Sequence, residues 1–214
     1  AIFDGTDAIM LSGETAAGKY PVESVRTMAR IAERTEAALN YREIFHRLSN
    51  AQEISVTEAI SQAVAKSALD LNANAIITAT ESGYTARMVS KYRPKAPIIA
   101  VTPNEDVMRR MALNWGVLPV KGEHVPSTDI MFEMAVDSAL KTKVVQPGDL
   151  VVITAGVPVG RSGTTNLIKI HHIGEIVAKG QGIGNKIATG KVVLAHSPEE
   201  AVEKTQPGTV LVCP

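Results

Sequence analysis

The chain has 214 residues, 22 basic and 22 acidic, with 45% of its residues hydrophobic and 21% charged. That is the balance of an ordinary soluble globular chain, long enough for one large domain or two small ones, and its neutrality leaves no electrostatic footprint for nucleic acid. No apolar run reaches the roughly 18 residues of a membrane span. The opening residues carry neither the basic region nor the apolar core of a secretion signal, and the single cysteine, Cys213, has no partner for an internal disulfide, which fits a reducing cytosol.

In chain order, "DGTDAIMLS" reads as a turn at Asp4-Gly5 followed by a short buried strand from Asp7 to Leu11. Pro21 opens a helix at its favoured first position, with Val22, Val25, Met28, Ala29 and Ala32 on one apolar face. Residues 40–56 are polar and mixed, with "LSNAQE" (48–53) reading as a linker. A helix follows on Thr57, Ile60, Val64 and Leu69, then a buried strand from Ala75 to Ala79 and a second helix from Thr85 to Tyr92, stopped before Pro94. "PIIAVT" is a strand, Asn104 to Leu113 a helix, and "GVLPV" a short strand with Pro119 expected at its end. Ser127 caps a long helix to Lys141; "GDLVVITAG" and "TNLIKIHHI" are strands.

Helices alternating with near-continuous apolar strands predict an α/β fold, a mostly parallel sheet covered by helices on both faces. "TNLIKI" follows "GDLVVI" after only a loop and is expected to run antiparallel to it. Four glycines in "GEIVAKGQGIGN" mark a further linker, and "KIATGKVVLA", "SPEEAVEK" and "GTVLVCP" read as strand, helix and strand of a partial unit. The start at Ala1 and the β-rich end both read as cuts through a longer protein, the alternatives being processing or a true terminus.

Gly13, four residues, then Gly18-Lys19 come within one residue of the phosphate-cradling loop G-x-x-x-x-G-K-[ST]. Tyr20 stands where that loop needs Ser or Thr for magnesium, and Pro21 forces the helix to start after the lysine, so the string lacks the loop's chemistry. Ser12 and Glu14 sit past the end of the expected strand. There they are either catalytic groups holding a proton-relay water at the lip of a barrel, or an ordinary loop with Glu14 bonded to backbone.

Two later loops, "TATESGYT" and "GVPVGRSGTTN", each follow a strand. Thr80, Ser82, Gly83 and Thr85 in the first, with Arg161, Ser162, Gly163 and Thr164 in the second, suit a phosphorylated ligand; the bland alternative is two turns built of ordinary turn residues. Glu81 inside the first loop opposes an anion. His171 and His172 are adjacent on a strand and point to opposite faces, and His46, His124 and His196 have no partner at metal-ligand spacing. Trp115 reads as core or interface, and Cys213 is no nucleophile candidate.

"DGTDAIMLSGETAAGKYPVESV", "SKYRPKAPIIAVTP" and "GDLVVITAGVPVGRSGTTN" together resemble the pyruvate kinase family over residues 1 to about 173. The resemblance implies four parts: residues 1–40 as the last strand and helix of a catalytic (β/α)8 barrel, 41–173 as the regulatory C-terminal α/β domain, 174–184 as a linker and 185–214 as the truncated start of a phosphohistidine-domain-like extension. The Thr-Ser-His-type segment of such domains is not present. It further implies a cytoplasmic glycolytic, ATP-binding phosphotransferase, tetrameric and allosteric. Its magnesium and potassium ligands would lie outside this chain, so the chain alone is expected to be inactive and to hold no cofactor.

By motif, Ser12 and Glu14 match the pair near the proton-donation site, and Thr80, Ser82, Gly83, Thr85, Ser162, Gly163 and Thr164 match the two loops that hold a phosphorylated effector. Glu81 stands where members responsive to fructose 1,6-bisphosphate carry lysine, and Met131 where they carry arginine. These departures imply a monophosphate such as AMP or ribose 5-phosphate, or a site holding only sulfate or phosphate. The alternative is a non-catalytic oligomerisation module with no effector. No membrane or nucleic-acid partner is expected.

Overall fold

In the computed structural model, which describes residues 1–50, 54–158, 163–174, 181–182 and 188–213, the chain divides into two units, Ala1–Glu175 and Ile176–Pro214. The first unit opens with α1 (Gly13–Ala16) and α2 (Pro21–Ala37), the latter with Pro21 at its first position. The strand expected from Asp7 to Leu11 does not form: residues 8–11 have no regular structure and Met10 is 84% exposed. A strand is held by the ladder of a neighbour, and no described strand pairs with this segment. The polar stretch after residue 40 opens with a helix that reaches the first residue of "LSNAQE", and residues 51–53 of that expected linker lie outside the described residues. Tyr41, Ile44, Phe45 and Leu48 fall on one face of α3 (Tyr41–Leu48), and the Asn40 side chain caps it by accepting the Glu43 N–H at 3.3 Å. Phe45 is buried with Ala65 and Tyr92, the two rings 6.1 Å apart.

Next comes α4 (Val56–Asp70), fixed at its start by a capping box: Ser55 accepts from the Glu58 N–H, and Glu58 reaches back to the Ser55 N–H. Five strands then form one sheet: β1 (Ala75–Ala79), β2 (Ile98–Thr102), β3 (Val117–Lys121), β4 (Leu150–Gly156) and β5 (Thr165–His172), in the order β3-β2-β1-β4-β5. All pairs are parallel except β4–β5, which is the antiparallel hairpin expected from the short connection. Pro119 lies in the middle of β3 rather than at its end, opposite Ala100; its missing N–H is tolerated because β3 is an edge strand.

The connecting helices α5 (Tyr84–Ser90), α6 (Glu105–Met111) and α7 (Thr128–Lys141) explain why the strands read as continuous apolar runs. Ile76, Ile98, Ala100 and Val152 pack beneath α4, α5 and α6, through Val64, Ala68, Ala86, Val89, Val107 and Met111. Ile77, Ile99, Val101, Val151 and Ile153 meet Met131, Phe132, Ala135 and Ala139 of α7 on the other face. Alternate residues of each central strand thus serve two cores, and both sets must be apolar.

In the second unit, β6 (Lys191–Leu194) and β7 (Thr209–Val212) are parallel neighbours joined through α8 (Pro198–Lys204). Ser197 caps α8, its hydroxyl accepting the Glu200 N–H. Gly190 has no room for a side chain, since a Cβ there would lie 2.1 Å from the Gly208 carbonyl oxygen. No helix among the described residues is long and apolar enough to cross a membrane.

The α4–α5 junction is held by an ion pair, Lys91 Nζ to Glu58 Oε1 at 2.7 Å. That hydrogen bond, with the Ser55 N–H and the lysine's charge, lowers the Glu58 pKa from 4.5 to about 2. Its contribution to stability is therefore complete above about pH 4.5 and is lost as the pH falls through about 2. Urea unfolding of the wild type and Glu58→Gln across this range is expected to show a midpoint difference at pH 6 that shrinks steadily between pH 4.5 and 2; a difference independent of pH would rule the linkage out.

Candidate functional site

Strand order locates the site before any side chain is considered. From β1 the sheet grows through β2 to β3, with α5 and α6 on one face; α7 then crosses on the opposite face and returns the chain to β4, on the other side of β1. The connections leaving β1 and β4 therefore diverge, and a crevice opens at the carboxyl ends of these two strands. A cleft is found there, lined by Thr80, Glu81, Ser82 and Thr85 after β1 and by Gly156, Gly163 and Thr164 after β4. Five of the expected ligand residues, Thr80, Ser82, Thr85, Gly163 and Thr164, thus line one cleft. Gly83 belongs to the same turn as the N-cap of α5; Arg161 and Ser162 lie outside the described residues.

Both loops are held in shape by their own polar groups. The Thr80 hydroxyl accepts the Gly83 N–H at 3.0 Å, tightening the first turn. Gly83 then adopts φ +79, in the left-handed region, so that α5 can start under the sheet edge. Thr85 Oγ1 and Thr165 Oγ1 lie 2.7 Å apart in a buried contact that joins the start of α5 to the start of β5. The second loop is closed by Asn166, whose side-chain oxygen accepts the Val157 N–H at 2.9 Å while its amide donates to the Val157 carbonyl at 2.7 Å. Thr57, in the first turn of α4, donates to the Gly163 carbonyl at 3.3 Å.

The rest of the lining sets the electrostatics. Met131, at the position noted for its lack of charge, is 4% exposed and lines the cleft beside Met134. Glu123 contributes a second carboxylate, and none of the described lining residues is Lys or Arg. His124 Nδ1 lies 3.4 Å from Glu81 Oε1. Glu123 and His124 were missed as site residues although a signal existed. They follow the third parallel strand, whose end must share an edge with the ends of β1 and β2. Gly122 begins that exit because a Cβ there would stand 2.5 Å from Val101 Cγ1.

Ser12 and Glu14 lie apart from this cleft, in an exposed loop at the start of α1. Glu14 Oε2 accepts the Ser12 N–H at 3.1 Å, and the Thr15 hydroxyl donates to the Ser12 carbonyl at 3.2 Å. Gly18 closes the turn, since a Cβ there would meet the Glu14 carbonyl oxygen at 2.4 Å, and Lys19 turns its ammonium over the Tyr20 ring at 5.5 Å. Among the described residues no three His, Cys, Asp or Glu side chains converge as metal ligands.

Comparison with known proteins gives consistent results along the chain. The family model described as "Pyruvate kinase, alpha/beta domain" matches residues 58–171, and "Pyruvate kinase, barrel domain" matches residues 1–25. Curated relatives include the pyruvate kinases of Geobacillus stearothermophilus, Bacillus licheniformis and Sporosarcina psychrophila, which are 58%, 57% and 52% identical over 212 residues. Each alignment takes in 99% of this chain and 36% of the relative, so the chain spans little more than a third of those proteins.

The left-handed turn at Gly83 is the most sensitive point of the cleft's framework. Beyond its φ of +79, a Cβ there would approach Met111 Cγ at 3.0 Å and Val107 Cγ1 at 3.2 Å. Gly83→Ala is expected to lower unfolding stability by about 1–2 kcal/mol for the backbone alone. Chemical denaturation checks this, and an unchanged midpoint would show that the turn relaxes without strain.

Proposed function

Because the chain belongs to the pyruvate kinase family, we propose that it serves as the C-terminal regulatory and assembly part of an enzyme that moves the phosphoryl group of phosphoenolpyruvate to ADP, giving ATP and pyruvate. In this reading residues 41–173 carry regulation, and the cleft beyond β1 and β4 takes a phosphorylated small molecule with a single phosphate. The observation that carries it is the asymmetry of the lining. Hydroxyls and glycine backbone of Thr80, Ser82, Thr85, Gly163 and Thr164 gather on the two loops, while Glu81 and Glu123 bring carboxylates to the same cleft. A phosphate is bound through N–H and O–H donors, with Arg161 of the second loop as the cation; a second phosphate would meet Glu81 and Met131 in place of the lysine and arginine of bisphosphate-responsive relatives.

Ser12 and Glu14 take the catalytic part of the reading. In the complete enzyme they stand near the carbon of the enolpyruvate that receives a proton, with the Ser12 hydroxyl and Glu14 carboxylate holding the water that relays it. Residues 1–37 leave Phe3, Tyr20 and Ile31 about 60% exposed around an apolar groove, which suits a strand–helix segment whose seven counterparts belong to the rest of a barrel. The assembly role is supported by β5, an eight-residue edge strand with a ladder partner on one side only and Ile170 52% exposed. A cytoplasmic homotetramer, with magnesium and potassium held outside this chain, completes the proposal.

Calorimetric titration with ribose 5-phosphate, AMP and fructose 1,6-bisphosphate tests the cleft, with light scattering as the measure of assembly. Either monophosphate is expected to bind at least about tenfold more tightly than the bisphosphate, a gap of about 1.4 kcal/mol. Preference for the bisphosphate would overturn the charge argument, and self-association without binding of any of the three would favour a plain assembly module. In an assay coupling pyruvate formation to NADH oxidation, the purified 214-residue chain is expected to show no turnover; measurable turnover would overturn the assignment of the remaining catalytic groups to the rest of the enzyme.

A further inference from the structure

Arg93 follows α5 directly and adopts φ +48, in the left-handed region that a non-glycine residue enters at a cost. Its side chain is only 14% exposed. One guanidinium nitrogen donates to Asp7 Oδ1 at 2.6 Å and to the Ser90 carbonyl at 3.2 Å; the other donates to the Gly5 carbonyl at 2.7 Å. The group also lies over the Trp115 ring, 5.2 Å from its centre. Asp7 Oδ1 accepts the Trp115 N–H as well, at 3.2 Å, and the Ser90 hydroxyl donates to the Trp115 carbonyl at 2.7 Å. One part-buried cation thus fastens the Gly5–Asp7 turn, five residues before Ser12, to the C-terminal end of α5.

The N-terminal end of the same helix is the wall of the cleft. Thr85 lines it, and the Thr80–Gly83 turn leads into the first residue of α5. Seven residues make a rod of roughly 10 Å. It is packed through Ala86 and Val89 into the core under the sheet, and tied near its far end to α4 by Lys91 and Glu58. A short rod in a close-packed interior has little room to bend, so one stiff element joins the turn at one end to Ser90 and Arg93 at the other.

Resting on the reading of the cleft as a phosphate-ester site, we propose that Arg93 is a positioning residue. Through α5 it makes the placement of the Ser12–Glu14 loop respond to occupancy of the cleft. Glu14 and Ser12 are exposed and bonded only within their own loop in the hydrogen bonds they make here, so the Gly5–Asp7 anchor is the firm point from which that loop is hung. Arg93 touches neither ligand nor substrate; its work is done through Asp7 and the Gly5 carbonyl.

Spatial continuity is not coupling, and coupling is what must be measured. Ribose 5-phosphate is titrated into the full 214-residue chain by calorimetry, while backbone hydrogen exchange is followed in residues 1–14, with residues 105–111 as the internal reference. In the wild type, saturation is expected to slow exchange in residues 1–14 about fivefold or more relative to the reference. Arg93→Met is expected to bind the ester as before and to lose that slowing, and Arg93→Lys to recover part of it. Binding without slowing in the wild type, or slowing that survives in Arg93→Met, overturns the link while leaving the cleft intact as a binding site. Silent calorimetry in the wild type removes the reading of the cleft, and the link with it. If Arg93→Met loses its cooperative thermal transition, Asp7→Asn replaces it, since Asp7 lies outside the sheet and its helices, with the same outcomes expected.

Discussion

The return of β4 to the side of β1 is the constraint on which the rest of this structure depends. The register Ala75↔Val151 to Ala79↔Ala155 pairs the first strand of the sheet with one more than seventy residues later. It makes β1 a central strand, covered on both faces, so that Ile76 and Ile77 must both be apolar and fully buried. It places α7 alone on the face opposite α5 and α6. It also forces the chain to leave β1 and β4 in different directions. The crevice between those exits follows from topology, and side chains only decide what it holds.

Those side chains are committed twice over. The Thr85 hydroxyl is in contact with Thr165, the Thr80 hydroxyl accepts from Gly83, and Thr57 reaches the Gly163 carbonyl. The small hydroxyl residues that suit an anion site also build the frame that aims the backbone at it. This is why the two loops, some eighty residues apart in sequence, behave as one wall. Glu81, inside the first loop, and Glu123, after β3, bring two carboxylates to the same cleft.

Much of this was legible in the residues, for physical reasons that can be named. Strands buried on both faces, such as Ala75–Ala79 and Leu150–Gly156, announce themselves as continuous apolar runs, and the short connection before Thr165 leaves room only for a hairpin. The cleft residues were found because loops after parallel strands converge at one edge. The misses have equally specific causes. The run from Asp7 to Leu11 has the composition of a strand, but composition cannot supply a neighbour's ladder. In α3 four apolar residues are diluted by Arg42, Glu43, His46 and Arg47, and a two-turn helix shows too little periodicity to stand out. Glu123 and His124 went unseen because the segment after the third strand, "KGEHVP", carries none of the hydroxyls that mark the other two loops. The near-match to a phosphate loop at Gly13–Lys19 failed for local reasons alone: α1 starts before Gly18, and α2 only at Pro21.

The lone indole of the chain has a consequence of its own. Trp115 is 7% exposed, roofed by a guanidinium, with its backbone N–H held by the Asp7 carboxylate. Its emission is therefore an optical signature of the seam between the leading segment and the sheet, free of background from any other tryptophan. Movement of the guanidinium off the ring is expected to change that emission, so the chain carries its own reporter of this contact.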